Sequence, residues 1–137
     1  MTTTTFWLLA TIVLTASLWM PYILDRFIRI GVLRTLGNPA ADDANEQSAW
    51  ARRAQRAHIN AIENLAIFAP LALLALHLDL GESSLVNTAS ALYFFARAAH
   101  YVVYVLGIPA LRTITFLAGF GAQLALAVAI ARAGDLL

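Results

Sequence analysis

Apolar residues fill four long runs along this chain, and the interruptions between them are short and polar. The runs cover about residues 6–26, 57–78, 85–106 and 111–133. A helix that crosses a bilayer needs about 20 apolar residues, so each run predicts one transmembrane span. The first ends on Asp25 and Arg26, with Arg29 one turn later, and Pro21 predicts a kink because it leaves the carbonyl of Ser17 without its donor. Between the first two runs, residues 34–50 are polar, with acids at Asp42, Asp43 and Glu46. Gly37, Asn38 and Pro39 read as a turn, and Asn45 or Ser48 suits the N-cap of the next helix. Gly81 reads as a helix stop and Ser83 or Ser84 as the next cap, while Gly107 to Pro109 is a very short connection. The pattern predicts an all-α fold: a single domain over 1–137, built as an integral membrane four-helix bundle.

Composition strengthens the membrane reading. The chain is 61% hydrophobic and 12% charged, against about 45–50% and about 25% in soluble domains. A net charge of +1 points away from a nucleic-acid partner. The absence of cysteine excludes disulfides, thiolate metal sites and a protein thiol nucleophile, so any thiol chemistry must use a ligand's thiol. Six arginines (26, 29, 34, 52, 53 and 56) surround the loop between the first two spans. By the positive-inside rule that loop is cytoplasmic, the Gly107–Pro109 turn lies on the same side, and both termini face outward. The start, MTTTT, lacks the basic region of a cleaved signal peptide.

Polar residues inside the spans fall into seams. On the second helix Arg53, Arg56, Asn60 and Glu63 share one face, with His58 roughly opposite. On the third, Tyr93, Arg97, His100 and Tyr104 form one stripe. The two helices run antiparallel, so equal rise sets Asn60 level with Tyr104 and Glu63 level with His100. Arg97 lies about 14 Å from the Gly107 end at about 1.5 Å per residue. A charge that deep needs a partner, and Glu63 is the expected one, as a buried ion pair. A pair alone leaves Arg56, Asn60, His100, Tyr104 and Arg112 unexplained; their convergence predicts a polar pocket open to the cytoplasm, with arginines suited to carboxylates. No histidines or carboxylates stand in metal-ligand spacing, and His100 lacks a second histidine at its depth, so neither metal nor haem is expected. On the fourth helix Ala118, Ala122, Ala125, Ala129 and Ala133 form a small-residue stripe suited to close packing, within one subunit or between two.

Two motifs carry a resemblance. RAQRAHINAIEN is similar to a family pattern R-A-H-x-N-x-x-E, and ARAAHYVVYVLGIPALRTITFLAGF is similar to R-x-x-H-x-x-Y followed by an arginine opening the fourth helix. Both, in order and on four spans, resemble the MAPEG family, the membrane-associated proteins of eicosanoid and glutathione metabolism, and in particular its small bacterial-type members and microsomal glutathione transferases. The resemblance covers nearly the whole chain. It implies a homotrimer in a bacterial inner (plasma) membrane, with glutathione as co-substrate bound between subunits near the cytoplasmic side. It implies Arg56, Asn60 and Glu63 from the second helix, and Arg97, His100 and Tyr104 from the third, as glutathione-binding residues. Arg112 matches the arginine that stabilises the glutathione thiolate, and Thr113 the polar residue after it. Arg29 or Arg34 matches an arginine contributed from the end of the first helix.

Two departures narrow the activity. Ile59 stands where some members have a second basic residue, and Phe116 where some have tyrosine. Both remove polar contacts to ligand or substrate, which counts against tight glutathione binding and eicosanoid synthesis; a bacterial-type relative would conjugate glutathione to lipophilic electrophiles from the bilayer, or reduce lipid hydroperoxides. The alternative is a non-catalytic protein that keeps the scaffold and binds a lipid, a thiol or a protein partner.

Overall fold

A computed structural model describes residues 1–38, 40 and 42–134. Among the described residues seven helices follow in order: α1 Thr3–Ser17, α2 Met20–Arg29, α3 Val32–Leu36, α4 Asp43–Glu46, α5 Ala49–His77, α6 Ser84–Leu106 and α7 Pro109–Ala133. There is no strand among the described residues. Four segments of the described residues are long and apolar enough to cross a membrane: Thr3–Arg29, Ala49–His77, Ser84–Leu106 and Pro109–Ala133.

The first span is two helices. It breaks at Leu18 and Trp19, and Pro21 stands at the start of α2, where its missing N–H costs nothing. Inside a bilayer a break exposes backbone groups that water cannot satisfy. One neighbour covers a carbonyl there, and a second braces the break through side chains. Tyr101 of α6 donates to the carbonyl of Leu18 at 3.1 Å, and His58 of α5 meets the Tyr22 hydroxyl through Nδ1 at 3.0 Å.

Two short helices in the loop, α3 and α4, have no counterpart in the apolar pattern. They are too short to carry a periodic signal and are held by charge instead. Asp43 is buried, accepts from Arg26 at 3.1 Å and the Ala40 N–H at 3.0 Å, and forms an ion pair with Arg34 at 2.9 Å. Arg34 also reaches Glu46 at 2.9 Å, and that hydrogen bond, with the Glu46 charge behind it, holds the guanidinium proton more tightly than usual. Ser48 is the N-cap of α5, one of the two positions expected, yet its side chain does not cap its own helix. Its hydroxyl and N–H both donate to the buried Asp25 carboxylate, tying α2 to the start of α5. Pro39 lies outside the described residues.

The turn from α5 to α6 corrects one expectation. The left-handed residue that ends α5 is Asp79, at φ 56°, and not Gly81. Gly81 serves closeness: a Cβ there would stand 2.8 Å from Leu76 and 3.1 Å from Thr2. The N-terminus of α1 docks on this turn, with Thr3 N–H donating to Glu82 at 3.1 Å and Thr4 donating to Asn87 at 2.7 Å. At this end lies the apolar core, where Phe68 stacks on Tyr93 at 3.8 Å among Leu8, Val86, Ala122 and Leu126. On α7, Gly119, Ala122, Gln123 and Leu126 are buried, and Ala125 and Ala129 pack against the core, whereas Ala133 is exposed. Most of the alanine stripe is therefore used within the chain. The opposite, arginine-rich end is left to polar side chains.

Candidate functional site

The stripe on α6 faces α7. Arg97 is 3% exposed. It donates to the carbonyls of Thr115 at 3.4 Å and Phe116 at 3.2 Å, and to the Asn60 side-chain oxygen at 3.4 Å. It lies 5.6 Å from the Tyr93 ring centroid and 5.5 Å from that of Phe116. The guanidinium comes this close to α7 because residue 119 is glycine; a Cβ there would collide with it.

One turn along, His100 is buried, with Nδ1 3.1 Å from both the Arg112 carbonyl and the Thr115 hydroxyl. A carbonyl only accepts, and the Thr115 hydroxyl is within 2.9 Å of the Leu111 carbonyl, to which it donates. Nδ1 therefore carries the proton, and Nε2 is left without a partner. Arg112 sits in the first turn of α7, exposed, with its guanidinium carbon 4.9 Å from the Tyr104 ring centroid. Thr113 donates back to the Pro109 carbonyl at 3.3 Å.

These groups surround a cavity of about 210 Å³ lined by Asn60, His100, Tyr104, Arg112, Thr113 and Phe116. Arg97 stands directly behind Asn60 and Phe116. The structure thus brings together Asn60, Arg97, His100, Tyr104, Arg112 and Thr113. Arg56 and Glu63 do not join them. Both are exposed on α5 and make no hydrogen bond or ion pair among the described residues. Neither Arg29 nor Arg34 lines the cavity; Arg29 approaches Asp25 at 3.5 Å and Arg34 is held by Asp43 and Glu46.

The expected Glu63–Arg97 ion pair is absent, and helix geometry explains why. From Asn60, a step of three turns about 60° one way round the axis and a step of four about 40° the other. The buried line of α5 runs through Ala57, Ala61, Asn64 and Phe68, so the inward step is to Asn64. The Asn64 side chain donates to the Asn60 carbonyl at 2.8 Å, and its own carbonyl accepts from Gln123 at 3.0 Å. Arg97 meets neutral oxygens in place of a carboxylate. Sequence reasoning singled out Phe116 only as a departure from the family pattern, and it passed over Thr115, Gly119 and Gln123. Gln123 alone left a signal, as an amide inside an apolar span.

The family model for MAPEG matches residues 4–132 of the chain. The chain belongs to the MAPEG family. That family includes glutathione transferases and peroxidases as well as other members. No curated protein and no solved structure matches the chain significantly. With four apolar helices of spanning length, this MAPEG chain is an integral membrane protein.

Proposed function

We propose that this MAPEG chain is a glutathione-dependent membrane transferase or peroxidase, acting as a homotrimer on lipophilic electrophiles or hydroperoxides. The observation that carries the reading is the cavity, in which an exposed cation (Arg112), an amide (Asn60) and a histidine converge, with a buried cation (Arg97) behind its wall, in a chain without a thiol of its own. Glutathione would supply that thiol. Arg112, beside it, would favour the thiolate over the thiol, and the thiolate is the nucleophile. Asn60 offers an amide donor to a carboxylate or peptide oxygen, with the Arg97 charge behind it, and Thr113 a hydroxyl near the reacting sulfur.

Two features support a multi-chain site. About 210 Å³ falls short of the about 300–1,000 Å³ typical of small-molecule pockets, so a tripeptide would need a further wall. Arg56 and Glu63 point outward from α5, and a charge facing lipid near the middle of a 29-residue helix costs about 2.5–3.5 kcal/mol or more. Both would be satisfied at an interface with a second copy, where they could reach the ligand. The second substrate would come from the bilayer, since Leu111, Ile114 and Leu117 beside Arg112 are exposed and apolar. The arginine-rich end would face the cytoplasm of a bacterial inner membrane, with both termini outside.

Calorimetry with glutathione on detergent-purified protein tests the proposal, beside an Arg112→Ala variant. Saturable binding is expected, with a thiolate absorbance that the variant loses. Turnover should fall about 100-fold in Arg112→Ala while affinity stays within about threefold. Binding with no thiolate signal in the wild type would favour the non-catalytic scaffold, and no binding at all would end the glutathione reading.

A further inference from the structure

We infer that Arg53, which does not line the cavity, is a positioning residue that sets Arg112 against Tyr104 by clamping the α6–α7 turn; this rests on the glutathione reading above. The last carbonyls of a helix have no partners within it. At the end of α6 the turn itself covers two of them. Gly107, left-handed at φ 76°, donates its N–H to Val103 at 3.0 Å and Tyr104 at 3.1 Å, and Ile108 donates to Val103 at 3.2 Å. The carbonyl of Val105 is covered from outside: Arg53 Nε of α5 donates to it at 2.8 Å. The guanidinium also lies against Gly107, where an added Cβ would be 3.3 Å from Nε and 3.4 Å from Cζ. A cation at this place also meets the negative end of the α6 dipole.

What the clamp holds is the part of the chain that builds the cavity lip. Tyr104 is in the last turn of α6 and Arg112 in the first turn of α7, whose N–H reaches back to the Ile108 carbonyl at 3.1 Å. The two face each other across the turn that Arg53 grips. A connection of only two residues, Gly107 and Ile108, transmits any change in its backbone to both helix ends. Arg53 thereby fixes the place of the Arg112 charge relative to a bound sulfur without touching the ligand. A lysine at 53 keeps the charge and a donor for Val105 but loses the flat contact with Gly107.

The test uses the full chain in detergent, as wild type, Arg53→Gln and Arg53→Lys. It reads glutathione affinity by calorimetry, the thiolate absorbance, the split between kcat and KM, and the fluorine resonance of fluorotyrosine at Tyr104, assigned with Tyr104→Phe. For Arg53→Gln the expected outcome is affinity within about threefold, with thiolate signal and kcat down about tenfold and the Tyr104 resonance shifted. Arg53→Lys should recover part of each, and it carries the comparison if the glutamine variant does not fold. Equal loss of affinity and kcat, or no change in thiolate and resonance, would overturn the inference. If the wild type binds no glutathione, the glutathione reading fails separately, and the resonance still decides: a shift in either variant supports the clamp, and an unmoved Tyr104 overturns it.

Discussion

Tyr93 is fully buried and its hydroxyl has no hydrogen-bond partner, as is true of Ser90 beside it. An unpaired buried hydroxyl stabilises nothing, while the ring stacks on Phe68. Tyr93→Phe should therefore leave stability within about 0.5 kcal/mol or raise it, as thermal unfolding in detergent would report; a clear loss would mean the hydroxyl is bonded. Asp25 is the contrasting case. It accepts from the Ser48 hydroxyl and N–H, and its replacement by alanine leaves both donors buried without an acceptor. Asp25→Ala should cost about 1–3 kcal/mol and open the loop to proteolysis between α2 and α5. The single-residue scale is also where the sequence was least legible. Glu63 carries charge and Asn64 does not, so pattern alone favoured Glu63 as the partner of Arg97. The rotation of α5, fixed by Ala57, Ala61 and Phe68 packing inward, turns Glu63 out and Asn64 in, and Arg97 bonds the Asn60 oxygen instead.

Among the helices, α6 and α7 show how packing creates chemistry. The stripe Tyr93, Arg97, His100 and Tyr104 was readable from spacing, because 3.6 residues per turn set these side chains on one face. Which helix that stripe meets was not readable. The short turn before it led the stripe to be set against α5, whereas the absence of a Cβ at Gly119 lets Arg97 lie on α7. Gly119→Ala improves helix propensity by up to about 1 kcal/mol but drives the guanidinium off the Thr115 and Phe116 carbonyls. The expected result is a loss of about 1–3 kcal/mol of stability, because a buried cation forfeits two acceptors, with glutathione affinity down about tenfold. Unchanged affinity would mean that Arg97 is only a packing element.

On the scale of the molecule, the apolar runs announced four spans because bilayer thickness imposes a length that any sequence must meet. The loop helices α3 and α4 obey no such rule and stayed hidden. Polar and apolar halves are segregated along the bundle: the Phe68–Tyr93 core lies toward the Glu82 end, and the cavity toward the arginine-rich end. A bundle divided in this way can be stable at one end while its other end remains adaptable. The outward pair Arg56 and Glu63 belongs to this scale too. Native mass spectrometry from mild detergent should show trimers, and Glu63→Leu should weaken glutathione binding in those trimers; a monomeric wild type would refute the assembly.

The interrupted first span bears on the order in which the chain is made. As α1 and α2 leave the translocation machinery, the Leu18 carbonyl has no acceptor-seeking neighbour, because the hydroxyl that covers it belongs to Tyr101, a residue synthesised 83 positions later. Until the third span arrives, a bend there would leave that oxygen bare in hydrocarbon. The finished shape of the first helix is therefore written by the third, and biogenesis ends with an adjustment to a span already inserted.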